Sequence, residues 1–239
     1  MESLQGKVVL VSGASRGIGL AIAMALGQQG AKLILTARHR PHLEHVAARL
    51  PGTEMAMAAD VTSPTDVKRL FTAVRKRVGR LDVLINNAGV FTYRPFRQTT
   101  LTEWRRNVET NLTSLYLMTQ AALPLLARSH GDIVNILSIS SRVPFANCSA
   151  YTASKCGARG LTDVLRLELR PHGIRVIAVL PGMTDTKMKD EFNFRVDRPS
   201  LLQPPDVAAA VVGTLLQSRR ATVEEVFVTP THGAVRAED

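Results

Sequence analysis

Apolar positions along the chain follow two alternating rhythms. Short, nearly continuous runs of β-branched and aliphatic residues occur at Lys7–Ser12, Lys32–Ala37, Glu54–Ala58, Asp82–Asn86, Asp132–Ser138, Arg175–Leu180 and Glu225–Thr229. Runs of this kind predict strands buried on both faces, as in a parallel sheet covered by helices. Between them, helical spacing takes over at Gly17–Gln29, Pro41–Leu50, Pro64–Val78, Thr102–Arg128, Ala150–Pro171 and Pro204–Gln217. Strand and helix alternate from end to end. The predicted fold class is therefore α/β: one doubly wound domain over residues 1–239, with a seven-stranded parallel sheet and helices on both faces. One irregular stretch, at about residues 183–205, is long enough for a lid or substrate loop.

Composition removes several alternatives. Hydrophobic residues make up 45% of the chain and charged residues 21%, a globular rather than a disordered balance. Apolar runs stop far short of the ~18 residues that a membrane span requires. The start, Met1-Glu2-Ser3-Leu4-Gln5-Gly6-Lys7, lacks the basic-then-apolar pattern of a secretory signal. A cytoplasmic location without a membrane partner is expected. Cys148 and Cys156 have no ligand cluster around them, which fits a reducing compartment. His39, His42 and His45 share helical spacing but read as a solvated helix start, so no metal is expected. The net charge of +10 raises nucleic acid as a partner. The basic residues are dispersed, aromatics are only 5%, and no nucleic-acid-binding pattern occurs, so none is expected.

The candidate chemistry begins where the first strand ends. Ser12-Gly13-Ala14-Ser15-Arg16-Gly17-Ile18-Gly19 runs directly into a helical pattern. Glycines at 13, 17 and 19 allow a tight turn and close approach of backbone to an anion, with the next helix presenting its N–H groups to it. The spacing suits the phosphates of a dinucleotide. The second strand ends Thr36-Ala37-Arg38. An acidic residue there would accept a ribose 2′-hydroxyl. Instead, Arg38 and Arg16 offer two guanidinium groups, which suit a 2′-phosphate and so NADP(H) over NAD(H).

A second constellation lies further along. Tyr151 and Lys155 stand at i and i+4, neighbours on one helical face. An ammonium beside a phenol favours the phenolate and lowers its pKa from about 10. Ser138 closes an apolar strand thirteen residues earlier, at the end where ligands bind in such sheets. Its hydroxyl suits donation to a carbonyl oxygen that is gaining charge. Asn86-Asn87-Ala88-Gly89 and Pro181-Gly182-Met183-Thr184-Asp185-Thr186 end two further strands on the same rim, and Asn111 sits inside a predicted helix.

These motifs, in this order and over essentially the whole chain, resemble the short-chain dehydrogenase/reductase family, whose fold is of the Rossmann type. The resemblance implies Tyr151 as general acid in carbonyl reduction and Ser138 as the group that orients and polarises the carbonyl. It implies that Lys155 tunes Tyr151 and binds ribose, and that Asn111 supports a water-linked proton relay. Cofactor contacts are implied for Gly13, Ser15, Arg16, Gly17, Ile18, Gly19 and Arg38, for Asp60 and Val61 at the adenine, and for Asn87, Ala88 and Gly89 along the floor. Tyr151 and Lys155 join them, with Pro181, Gly182, Thr184 and Thr186 at the nicotinamide amide. Ser12 stands where the family usually has Thr, with the hydroxyl retained. The C-terminal residues resemble the branch containing NADP-dependent 3-hydroxy acid and serine dehydrogenases. Helices Thr102–Arg128 and Ala150–Pro171 are implied to pair in a homodimer or homotetramer.

The expected function is hydride transfer between NADP(H) and a small-molecule carbonyl or secondary alcohol. A 3-oxoacyl-acyl carrier protein reductase is one alternative. A non-catalytic dinucleotide sensor is another, and the intact Asn111/Ser138/Tyr151/Lys155 set speaks against it. Phe91, Val143, Phe145, Cys148, Met183, Phe192 and Phe194 are candidates for an apolar cleft wall. Arg94, Arg142 and Arg195 are candidates to meet a substrate carboxylate. Cys156 is expected to pack as a small hydrophobe.

Overall fold

The computed structural model describes residues 2–191 and 201–231. Seven parallel strands form one sheet in the order β3-β2-β1-β4-β5-β6-β7. They are β1 (Val8–Ser12), β2 (Lys32–Ala37), β3 (Thr53–Ala58), β4 (Val83–Asn86), β5 (Asp132–Ile136), β6 (Arg175–Pro181) and β7 (Glu225–Val228). The helices are α1 (Gly17–Gln28), α2 (Arg40–Ala47), α3 (Pro64–Arg77), α4 (Leu101–Val108), α5 (Ser114–Ser129), α6 (Ser149–Leu169) and α7 (Pro204–Leu215). The chain starts at the centre of the sheet, winds outward to β3, then crosses back to β4 and winds the other way. The order therefore reverses between β1 and β4, and the crevice beyond their C-terminal ends is where such sheets bind ligands.

Period-two alternation divides the core between the faces. Val9, Val11, Leu33, Leu35 and Ile85 pack with Ile22 and Leu26 of α1 and Val207 and Val211 of α7. Their neighbours Val8, Leu10, Ile34 and Leu84 point the other way, onto α3 and α5. Ala178 and Leu180 of β6 meet Ala158 of α6. Helix α3 shows how sequence builds one such layer. Ser63 caps its start and Pro64 occupies the first turn, while Arg75, Lys76 and Arg77 face the negative end of the dipole. Val67, Leu70, Phe71 and Val74 form its buried stripe. At about 1.5–3 kcal/mol for each fully buried large side chain, that stripe outweighs the weaker helix propensity of Thr65 and Thr72.

The structure departs from the pattern at one long helix. Thr102–Arg128 reads as continuous, but α4 and α5 are separated by a π turn at Glu109–Thr113. The capping box of Thr100 and Glu103 starts α4 one residue earlier than expected. Strand β5 ends at Ile136 rather than Ser138, because Ser138 turns out of the sheet into a short 3₁₀ segment, Ile139–Ser141. The stretch after β6 is anchored at its base, where Thr184 and Leu202 form a parallel bridge. Lys187–Glu191 forms a further 3₁₀ turn before the undescribed residues. Phe192, Phe194 and Arg195 lie outside the described residues.

Candidate active site

The Gly-rich turn folds against the end of β4. Gly13 has φ +66°, which disfavours a side chain. A Cβ on Gly19 would lie 2.4 Å from both Asn87 Nδ2 and the Gly13 carbonyl. Ser12 Oγ accepts from the backbone N–H groups of Asn87 (3.0 Å) and Ala88 (3.1 Å) and donates to the Ile85 carbonyl (3.2 Å). The hydroxyl therefore does the structural work that the sequence left to it. Asn87 Nδ2 returns a bond to the Ser12 carbonyl at 2.9 Å. Turn and floor are thus one interlocked unit. Gly19→Ala should force them apart, costing about 1–3 kcal/mol of stability and at least about tenfold in dinucleotide affinity. Thermal melting and a fluorescence titration would measure both, and a variant with unchanged affinity would show the contact to be dispensable.

Helix α1 starts without a side-chain cap and with no acidic residue in its first turn. By contrast, Ser63 and Thr100 cap α3 and α4. Its first N–H groups consequently face the cradle uncompensated, the electrostatic condition for holding phosphate. Arg16 and Arg38 are both exposed, and neither forms an ion pair among the described residues. Arg40, two residues on, is held by Glu44 at 2.7 Å. Val61 is buried, and Asp60 Oδ1 accepts from both the backbone and the hydroxyl of Thr62. Thr184 Oγ1 donates to the Gly182 carbonyl (3.0 Å), and Thr186 lies near Gly17, which ties the turn after β6 to the Gly-rich turn.

The remaining residues meet on the same rim. Tyr151 occupies the first turn of α6, 8% exposed, with the Phe91 ring edge-on at 4.8 Å between centroids. Ser138 lies beside the Tyr151 phenol and favours its ionised form, by less than burial opposes it. Ser138 Oγ is itself placed by Ser140, accepting from its N–H at 3.1 Å and lying 3.2 Å from its hydroxyl. Lys155 Nζ donates to the Ile136 carbonyl at 3.0 Å and stands 5.8 Å from the Tyr151 ring centroid. Asn111 lies in the π turn, and its side chain clamps the chain after the floor. It accepts from Val90 N–H and donates to the Val90 carbonyl and to Ser154 Oγ, each at 2.9 Å. A Cβ on Gly89 would lie 3.3 Å from Asn111 Oδ1 and 3.8 Å from Lys155 Nζ, so both groups border the space that this glycine leaves open.

Three expectations need correction. Burial pushes the Tyr151 phenol up to about 12 and the Lys155 ammonium down to about 8, so desolvation of both groups outweighs the lowering that their proximity predicts. Arg94 and Arg142 are not poised for a carboxylate, because Glu103 (2.8 Å) and Glu225 (2.6 Å) hold them. Cys156 is exposed, with its thiol directed at the Ser141 carbonyl, rather than packed. Sequence reasoning also passed over Ser140, Ser154 and the fully buried Asn107, which donates to Thr92 Oγ1 at 2.8 Å. The run Ser138-Ile139-Ser140-Ser141 was the available signal for the first of these.

Residues 7–196 match the family model described as short chain dehydrogenase. The chain belongs to the short-chain dehydrogenase/reductase family. Uncharacterized oxidoreductases of Staphylococcus saprophyticus and Staphylococcus aureus are each 34% identical to it, covering 96% of this chain and 100% of their own length. Among solved structures, this family member resembles an alcohol dehydrogenase of the archaeon Thermococcus sibiricus complexed with 5-hydroxy-NADP, with TM-score 0.90 and 28% identity over 98% of this chain and 100% of that one. A metagenomic short-chain oxidoreductase in complex with NADP gives 0.81 and 35%, covering 96% and 99%. The 3-ketoacyl-(acyl-carrier-protein) reductase of Brucella melitensis complexed with NADH gives 0.89 and 29%, also covering 96% and 99%. The protein is thus an oxidoreductase of this family, and structures similar to it hold nicotinamide dinucleotides. No helix among the described residues is long and apolar enough to cross a membrane.

Proposed function

We propose that this oxidoreductase uses NADP(H), in preference to NAD(H), to interconvert a small-molecule carbonyl and its secondary alcohol. The observation that carries the reaction type is the convergence of Ser138, Tyr151 and Lys155 on the rim beside the Gly89 gap. A bound nicotinamide would supply or accept the hydride. Tyr151 would give its proton to the carbonyl oxygen, and the Ser138 hydroxyl would steady the charge growing there. Lys155 and the residues of the cradle, from Gly13 to Gly19, would hold ribose and phosphates. Asp60 and Val61 suit the adenine, Asn87 to Gly89 the floor, and Pro181, Gly182, Thr184 and Thr186 the carboxamide. Asn111 would act by fixing Val90 beside that floor. Following NADPH absorbance with a panel of ketones and aldehydes tests the reading; cofactor binding without turnover on any of them would favour the sensor instead.

The cofactor preference rests on Arg16 and Arg38, two exposed cations with no acidic partner among the described residues. Arg38→Asp should raise the Kd for NADPH by about 10–100-fold, the worth of one charge-assisted hydrogen bond, and change that for NADH far less. Equal affinity of the parent protein for both coenzymes would contradict it. We read exposed Leu101 and Trp104 on α4, Tyr116 on α5 and Leu167 on α6 as faces that pair copies of the chain into a dimer or tetramer.

A further inference from the structure

Resting on the reading of Tyr151 as proton donor, we propose that Asn147 is a positioning residue for that phenol, gripping the start of α6 upstream of Tyr151 as Asn111 grips the helix downstream. Both amides join α6 to one strip of chain, Val90 to Arg94, that follows the floor. Each residue of the strip is fastened. Asn111 bonds both backbone groups of Val90. Arg106 of α4 donates to the Phe91 carbonyl at 3.0 Å, and Asn107, fully buried, donates to Thr92 Oγ1 at 2.8 Å. The Tyr93 hydroxyl accepts from Asn147 Nδ2 at 3.1 Å, and the Arg94 N–H donates to the Asn147 carbonyl at 2.6 Å. The strip is thus a rail fixed to α4, and α6 is joined to it at two points.

Tyr151 lies between those points. Downstream, Asn111 donates to Ser154 Oγ at 2.9 Å, and Ser154 Oγ donates to the carbonyl of Tyr151 itself at 2.7 Å. Upstream, Asn147 immediately precedes Cys148, the residue that opens α6. Cys148 gives the helix no side-chain cap, whereas Ser63 and Thr100 cap α3 and α4. The start of α6 is therefore fixed from outside the helix, through Asn147. Asn147 has φ +61° and is one of two non-glycine residues with positive φ among the described residues. Asparagine tolerates that region better than most side chains do. Here it lets one residue present both its carbonyl and its amide to the strip. One helical turn on, the Tyr151 ring stands edge-on to Phe91, also of the strip, at 4.8 Å between centroids. A misplacement of ~1 Å at a reacting group can cost about 10²-fold in rate. Releasing the upstream grip leaves the first turn of α6 to pivot about Ser154, and the phenol moves with it.

The test compares the parent chain with Asn147→Gly, which keeps positive φ accessible and removes the amide, with Tyr93→Phe, and with the two combined. The chain has three tyrosines, so isotope labelling at tyrosine Cζ gives three NMR signals, and Tyr151→Phe assigns that of Tyr151. We expect the Tyr151 signal to shift or broaden in Asn147→Gly while that of Tyr116, on α5, stays in place. With NADPH and benzaldehyde, kcat should fall about tenfold and the Kd for NADPH stay within about twofold. The double variant should lose no more than the larger single loss, because both changes break one bond. An unmoved Tyr151 signal together with a parental kcat below the melting transition would reduce Asn147 to a structural role and overturn the proposal, as would losses that add. Retained turnover in Tyr151→Phe would defeat the donor reading instead, and the Tyr151 signal judges the grip of Asn147 independently of turnover.

Discussion

Tyr151→Phe is expected to lower the rate of carbonyl reduction by about 10³-fold while NADPH still binds. The substitution removes one oxygen and keeps the ring in its edge-on contact with Phe91. Ser138 keeps its bonds to Ser140, so the hydroxyl proposed to orient the carbonyl stays in place. What disappears is the only buried phenol on this rim. Burial holds its pKa up to about 12, so the group is protonated at neutral pH, as reduction requires of a donor. Single-turnover rates and a fluorescence titration with NADPH separate the two effects. A loss below about tenfold would place the proton donor elsewhere.

Asp132→Ala is expected to be the most destabilising single change at a charged position. Asp132 opens β5 and is 6% exposed. It takes both arms of Arg175, Nε at 2.7 Å and an Nη at 2.8 Å, and a further bond from Arg219. Arg175 is equally buried, its other hydrogen bonds go to the carbonyls of Leu215, Gln217, Ser218 and Ala221, and Glu2 is a further, weaker source of negative charge. Without the Asp132 carboxylate, a buried guanidinium loses its hydrogen-bonded counter-ion, at a cost of about 3–5 kcal/mol. In a chain of this size that is a fall in Tm of roughly 10 °C. The exposed pair of Arg94 and Glu103 provides the contrast, because breaking it costs about 1 kcal/mol or less. Asp132 lies at the opposite end of β5 from Ser138, so kcat at a temperature where the variant is folded should match the parent. A fall in Tm no larger than that of Arg94→Ala would refute the assignment of Asp132 as the hub.

The strands were legible because a run such as Val8 to Val11, buried on both faces, has no other economical conformation; the expected and observed boundaries differ by no more than two residues. The site motifs were legible for a related reason. Gly13 to Gly19 and Tyr151 to Lys155 are defined by local spacing, which a sequence displays directly. What depends on distant partners was hidden. The partner of Arg142 is 83 residues away, and those of Asn111 are 21 away at Val90 and 43 away at Ser154, so neither the pairing of Arg142 nor the clamp on Val90 could be read from spacing. The same holds for the direction of the Tyr151 and Lys155 shifts, since the depth at which both groups sit is a property of the packed layers. The π turn was hidden differently. One additional residue in a helix moves the apolar stripe by about 100°, which a loose 3.6-residue rhythm absorbs unnoticed.

That turn also sets a limit on how the protein can be improved. Shortening Glu109–Thr113 by one residue, or recoding it for ideal helix formation, would give α4 and α5 a single uninterrupted axis and a better local score by any propensity scale. The same edit would swing the amide of residue 111 off Val90 and rephase everything after it against α6. A screen that selects on heat resistance alone would therefore tend to reward variants that have sacrificed the floor of the crevice.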